Sequence, residues 1–272
     1  VADLEIRNET IGELPIRWRV ADVGDGQVPV LYLHGVPESG EMWEPFLAQT
    51  GGIAPDLPGF GQSGKRADLA YDTDFYVDWL DEFLAYARVD RVRLVTHDWG
   101  AAFGLVWAMR APERLERLVI MNGVPLFADY RWHWIARLWR RRLVGELAAG
   151  SLTKPALRAL SRLASPREGP LPDEWVERVA RDFDQGTQRA ILRLYRSGDP
   201  AVLGAYGESL HKLRAPSLVI WGKDDPYIAF SFADRYSHAL PEARAEVVQG
   251  AGHWPWLDVP GVVEEVAAFV AA

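Results

Sequence analysis

The stretch Val92–Ala102 constrains this chain most. Val92–Val95 is an apolar run that reads as a short buried strand, and Gly100–Met109 reads as a helix. Between them the chain must turn sharply through Thr96-His97-Asp98-Trp99, with an acidic residue at the apex. Strand, turn and helix in this order are the setting of a nucleophile elbow, whose usual G-x-S-x-G presents a serine; here Asp98 stands in its place. A carboxylate is already an anion at neutral pH, so it attacks without a base to deprotonate it.

The flanking sequence supplies a frame for that turn. Leu4–Arg7 and Ile16–Val20 alternate apolar and polar residues and read as an antiparallel pair at a sheet edge. Val28–Leu33 is continuously apolar, as expected of a strand buried on both faces. Ile53–Pro55, Leu118–Asn122, Leu218–Trp221 and Ala245–Val248 read as further short strands. Met42–Gln49, Asp72–Ala87, Phe230–Leu240 and Val262–Ala271 read as helices. In Asp72–Ala87, Phe75, Trp79, Phe83 and Tyr86 recur at helical spacing. The alternation predicts an α/β fold, a mostly parallel sheet with helices on both faces. The pattern stops near Gly123, and from Leu126 to Leu213 the chain reads as helices broken by Gly and Pro. The expected organisation is an α/β core domain from residues 1–125 and 213–272, with a helical cap, 126–212, inserted between core strands. The chain has 12 tryptophans, several of them in its middle third, which points to an aromatic-lined cavity as well as ordinary core.

Ligands of open α/β sheets bind beyond the carboxyl ends of the strands. Four loops leave such ends, after Leu33, Val95, Trp221 and Val248. The last, Gly250-Ala251-Gly252-His253-Trp254, offers His253 as a general base, because imidazole titrates near neutrality. Gly222-Lys223-Asp224-Asp225-Pro226 offers a carboxylate to orient that imidazole; Asp225 is preferred and Asp224 is the alternate. The chain order Asp98, Asp225, His253 is then nucleophile, acid, base. Backbone N–H groups of Val36 and Trp99 are the expected oxyanion donors. Trp99, Pro37 and Trp254 are expected to contact substrate, and His34 and His97 to support their loops.

These motifs, in this order over nearly the whole chain, resemble the α/β-hydrolase fold superfamily. His34-Gly35-Val36-Pro37-Glu38-Ser39 resembles the HGxP stretch of epoxide hydrolases, and His97-Asp98-Trp99-Gly100 resembles their aspartate elbow. Haloalkane dehalogenases share an elbow aspartate followed by Trp. The resemblance implies that Asp98 attacks a saturated carbon to form an alkyl ester, which a water activated by His253 and Asp225 then hydrolyses. For an epoxide it further implies two cap tyrosines that donate to the opening oxygen. Tyr195, in Leu192-Arg193-Leu194-Tyr195-Arg196, resembles the second; Tyr130 is the expected first, with Tyr206 as substitute. A halide instead takes weak N–H donors, typically Trp99 with another Trp or an Asn. One dehalogenase group has that Asn where this chain has Val36, while Trp132, Trp134, Trp139 and Trp175 leave the tryptophan route open. The expected activity is therefore epoxide hydrolysis to a vicinal diol. Haloalkane dehalogenation is the alternative, and a non-catalytic ligand-binding member of the fold is the third reading.

Composition removes other classes. With no cysteine, disulfides and thiolate metal sites are excluded. A formal charge of -8 argues against nucleic acid and anionic membranes as general partners. No uncharged apolar stretch is long enough to span a bilayer, and Val1-Ala2-Asp3-Leu4-Glu5 lacks the basic and apolar regions of a signal peptide. The expectation is a soluble, cytoplasmic monomer or homodimer without cofactor or metal, whose partners are a small apolar epoxide or haloalkane and water. Gly59–Lys65 fits G-x-x-x-x-G-K, but Arg66 follows where a phosphate loop needs Ser or Thr. No H-E-x-x-H spacing occurs. Arg137 and Arg140-Arg141-Arg142 read as a solvated helix face.

Overall fold

Leu4–Ile11 and Leu14–Ala21 pair antiparallel as β1 and β2, joined by a turn at Gly12. Then come β3 (Val30–Leu33), α1 (Glu44–Thr50), β4 (Gly52–Pro55), α2 (Thr73–Tyr86), β5 (Val92–His97), α3 (Trp99–Arg110) and β6 (Leu115–Met121). Six helices follow with no strand among the described residues: α4 (Trp134–Trp139), α5 (Val144–Gly150), α6 (Lys154–Ser161), α7 (Asp173–Asp182), α8 (Gln185–Ser197) and α9 (Pro200–Gly207). The chain ends with β7 (Ser217–Gly222), α10 (Ser231–Ala239), β8 (Ala243–Val248), α11 (Pro255–Asp258) and α12 (Gly261–Ala271). This computed structural model describes residues 4–24 and 26–272; Val1–Asp3, read above for a signal sequence, lie outside them.

The eight strands form one sheet in the order β1-β2-β4-β3-β5-β6-β7-β8. Only β2 runs against its neighbours; every other adjacent pair is parallel. The continuous apolar runs have a simple cause, since a strand alternates faces and both faces here are covered. On β3, Leu31 and Leu33 join the core beneath α2 and α3, while Val30 and Tyr32 join the core beneath α1 and α12. Each such side chain removed from water contributes about 1.5–3 kcal/mol. In α2, Asp72 caps the N-terminus by accepting from Phe75 N–H at 2.9 Å. Its buried face is Tyr76, Val77, Trp79, Leu80, Phe83 and Leu84, whereas Tyr86 is exposed and Phe75 only half-buried. The aromatic spacing finds the helix and two of its buried positions, Trp79 and Phe83, and misses at its two ends.

The insertion between β6 and β7 is fastened over the carboxyl ends of the strands by ion pairs. Arg178 on α7 donates from Nε and Nη2 to both oxygens of buried Glu38, each at 3.1 Å. Lys65 reaches Asp182 O at 2.9 Å and Asp184 Oδ2 at 3.0 Å, so the lysine of the phosphate-loop look-alike serves as a tether. Arg140 corrects a sequence expectation. It is only half-buried surface, and its guanidinium donates to the carbonyls of Tyr195 and Gly198 at the end of α8, where helix carbonyls lack intrahelical donors. Among the described residues, no helix is long and apolar enough to cross a membrane.

Candidate active site

Asp98 sits between β5 and α3 with φ 51° and ψ -123°, a strained conformation for a residue with a Cβ. The surroundings hold it there. Val124 N–H donates to Asp98 O at 2.9 Å, and Gly100 packs where a Cβ would lie 2.2 Å from Leu33 O. Gly35 is required for the same reason, since a Cβ there would lie 2.2 Å from Asp98 Oδ1. The Asp98 side chain makes no helix-capping hydrogen bond, which removes its blandest explanation. Instead Oδ1 accepts from Val36 N–H at 2.8 Å. Trp99 N–H follows at the start of α3 and makes no bond to the carboxylate. His34 fixes the Val36 loop: its Nδ1 donates to Gly35 O at 2.8 Å, and its Nε2 accepts from Leu57 N–H at 2.9 Å.

Three loops bring the triad together. His253 Nδ1 lies 2.8 Å from Asp225 Oδ2, and its Nε2 lies 3.7 Å from Asp98 Oδ2. The second distance is beyond hydrogen-bonding range and leaves Oδ2 unencumbered. Asp224 is exposed, so Asp225 is the imidazole's partner. Asp225 Oδ1 accepts from Tyr227 N–H at 2.7 Å and Ile228 N–H at 3.1 Å, which aims Oδ2 at the ring. Burial disfavours an imidazolium at His253, but Asp225 and Asp98 outweigh it and raise the pKa to about 10. Burial likewise opposes ionisation of Asp98, yet His253 and the Val36 N–H together hold its pKa below the usual carboxylate value. His97 lies behind the triad, with Nε2 bonded to His253 O at 2.8 Å and ring centroids 4.7 Å apart.

A largely apolar cavity of about 80 Å³ opens on Asp98 and His253. Val36, Pro37, Trp254 and Tyr195 all line it. Burial and the Asp98 charge push the Tyr195 phenol well above its ordinary pKa. Tyr130 and Tyr206 are not among the lining residues. Tyr130 is buried behind Trp132 and Phe232, and Tyr206 lies beside Asp74 and Arg110. The side chain of Trp99 is also set back from the cavity, stacked between Phe103 and Trp132 and meeting Tyr195 edge-on. Its Nε1 is buried without a hydrogen-bond partner among the described residues. Trp132 Nε1 is committed to Gly198 O at 2.8 Å, and Trp134 is half exposed. Trp139 and Trp175 line the cavity.

Two polar residues at the site escape the sequence reading. His133, just before α4, lines the cavity and caps that helix, with Nδ1 accepting from Ala136 N–H at 3.4 Å. Burial lowers its pKa to about 4, so the ring is neutral and its proton sits on Nε2. Asn122, at the end of β6, donates from Nδ2 to Asp225 Oδ2 at 2.6 Å and accepts at Oδ1 from Gly222 N–H at 3.1 Å. A lone histidine and an asparagine after a strand carry no spacing signal that marks them. Among the described residues, no group of three or more His, Asp or Glu is arranged to hold a metal ion.

A family model described as alpha/beta hydrolase fold matches residues 28–260. A haloalkane dehalogenase from Mycolicibacterium paratuberculosis is 30% identical over 246 residues, covering 85% of this chain and 79% of that protein. A 2-hydroxy-6-oxo-2,4-heptadienoate hydrolase from Pseudomonas putida is 28% identical, covering 94% of each. The crystal structure of a haloalkane dehalogenase from Bradyrhizobium elkani superposes with a TM-score of 0.83 at 25% identity, over 99% of this chain and 98% of that one. The chain is a member of the α/β-hydrolase fold family, in the aspartate-elbow branch to which haloalkane dehalogenases belong.

Proposed function

We propose that this protein hydrolyses small apolar substrates electrophilic at a saturated carbon, through an alkyl ester on Asp98, with residues 126–212 acting as the cap. Oδ2 is the attacking atom, because Oδ1 is held by Val36 N–H and Oδ2 is free. Its lone pair forms the new C–O bond as the leaving group takes the electrons of the bond that breaks. Water then loses a proton to His253 and adds to the ester carbonyl. The charge that develops on Oδ1 is met by the donor already there, and collapse returns the Asp98 carboxylate and frees an alcohol.

The preferred substrate is an epoxide. The observation that carries this is that Tyr195 lines the cavity with Asp98 and with the neutral His133, the two rings 6.3 Å apart between centroids. An opening epoxide leaves as an alkoxide, which is far more basic than a phenol and takes a proton from one. His133 Nε2–H is the second donor in this reading, the part expected of Tyr130 from the resemblance. The second reading, a haloalkane dehalogenase, is supported by the relatives' activity and by the unpartnered Trp99 Nε1. A halide needs donors but takes no proton.

The two readings separate on Tyr195→Phe. Diol formation from terminal and aryl epoxides is expected to fall by about 100-fold or more, the typical share of a general acid. Halide release from bromoalkanes, if any, should change by less than about tenfold, a single neutral hydrogen bond. Epoxide turnover no higher in the wild type than in Asp98→Ala would overturn the epoxide reading. Halide release from the same enzyme would establish the second. A covalent adduct that never turns over would support a ligand-binding role.

A further inference from the structure

The loop that carries His253 is held from the insertion as well as from the core. Asp258, five residues beyond the histidine, is buried, with its side chain 3% exposed. Its Oδ2 accepts from Gly252 N–H, the residue before His253, at 2.8 Å. Its Oδ1 is bound from the insertion, by Ser165 Oγ at 2.5 Å and Arg167 Nε at 2.8 Å, and Arg167 Nη2 also donates to Leu257 O. Ala164 O accepts from His253 N–H at 2.9 Å. The fit is close, since a Cβ on Gly252 would lie 2.2 Å from Ala164 O. The 164–167 segment thus grips His253 and the residue before it, directly and through one carboxylate. It makes no hydrogen bond to Asp98.

We propose that Asp258, anchored by Arg167 and Ser165, is a positioning residue for the His253 base. The inference rests on the alkyl-ester reading above. In that reaction His253 moves a proton only in the second half, when water attacks the ester. The insertion therefore tunes ester hydrolysis and leaves alkylation of Asp98 alone. This separates positioning from a general structural role, which would slow both halves together. A base displaced by about 1 Å loses roughly 100-fold in rate, so even a partial relaxation of the loop is readable.

The experiment compares full-length wild type, Arg167→Met, Arg167→Lys, Asp258→Asn and His253→Ala with one turned-over epoxide or bromoalkane, by rapid quench and intact-protein mass. His253→Ala is expected to accumulate the ester completely. Arg167→Met and Asp258→Asn should form it at a rate within about twofold of wild type and hydrolyse it about tenfold more slowly, so that adduct builds up at steady state. Arg167→Lys should recover part of the hydrolysis rate, because the charge on Asp258 is again paired. Equal slowing of both halves, or no change in either, overturns the positioning role while leaving the ester mechanism standing. No adduct in His253→Ala even at alkaline pH, where Asp98 ionises without the imidazolium, overturns the ester mechanism and this inference with it. A thermal shift in Arg167→Met without adduct build-up also counts against positioning, because Arg167 would then be a stability residue only.

Discussion

Replacing Arg178 by Met should cost far more than a surface ion pair. Glu38 is fully buried, and both its oxygens are bonded to Arg178, at 3.1 Å each. Arg178 itself is 14% exposed; burial works against its charge, but Glu38 raises its pKa above the ordinary value. Taking away one partner of a buried pair leaves an uncompensated charge, at about 3–5 kcal/mol. Replacing both partners with apolar residues of similar size removes the desolvation penalty too and is often close to neutral. Arg178→Met should therefore lose about 3–5 kcal/mol, and Glu38→Leu/Arg178→Met should recover most of it. Urea denaturation of wild type, both single variants and the double variant measures this as a double-mutant cycle. A second readout is catalytic. Glu38 N–H donates to Gly35 O at 3.0 Å, closing the turn that carries the Val36 donor; Glu38→Leu keeps this backbone bond, so the double variant should fold well and retain most of its kcat. A loss below about 1 kcal/mol in Arg178→Met, or a double variant no more stable than either single, would refute the argument.

Gly35→Ala should fold, by circular dichroism, and lose about 100-fold in kcat/KM, because its Cβ would lie 2.2 Å from Asp98 Oδ1; near-normal activity would show that the elbow can yield. Asn122→Leu removes the 2.6 Å bond to Asp225 Oδ2 and should slow turnover tenfold or more, roughly the worth of a hydrogen bond to a charged group; an unchanged rate would mean the Tyr227 and Ile228 amides alone fix Asp225. Burial lowers the pKa of His34 to about 4 and of His97 to about 3, so the unfolded chain binds more protons than the folded one below the ordinary value of 6.5. Stability should accordingly fall as pH drops from about 6.5 to about 4, His34 alone contributing roughly 2 kcal/mol by about pH 5; a flat urea midpoint across that range would contradict buried neutral rings.

What the sequence could not place lies where packing, not pattern, decides. The elbow, the sheet and the order of the site loops leave local signatures: an apolar run, a Gly-flanked turn, an Asp-Pro, a Gly-Ala-Gly-His. Strands and helices accordingly fall within a few residues of their expected positions, and Asp98, Asp225 and His253 meet. The insertion has no such rule. Tyr130 and His133 are three residues apart before α4, and only the packing of Trp132 against Trp99 decides that His133 lines the cavity while Tyr130 turns to Phe232. The Arg178–Glu38 pair joins residues 140 apart, a contact that exists only after the insertion docks. Arg140 looks solvated by composition because its acceptors are backbone carbonyls, which no sequence pattern advertises.

In the proposed ester mechanism, the charges at the site let one histidine serve the second step without obstructing the first. In the resting protein His253 lies between two carboxylates, which together keep it protonated to about pH 10. As an imidazolium it is no base, but it holds Asp98 ionised in a buried place where a lone carboxylate would tend to take a proton. Asp98 is thereby ready to attack. Forming the ester removes its negative charge, and with it one of the two groups that raise the His253 pKa. Burial, which already opposes the imidazolium, then has only Asp225 against it, and the His253 pKa falls. The ring therefore releases its proton more readily when there is an ester for water to attack. The same event leaves Oδ1 as the carbonyl oxygen beside the Val36 N–H, where the oxyanion will form. A serine at this elbow begins neutral and needs a base before attack, whereas aspartate needs one only after. The 3.7 Å between His253 Nε2 and Asp98 Oδ2 fits that order, since the ring lies near enough to feel the charge yet makes no hydrogen bond that would occupy the attacking oxygen.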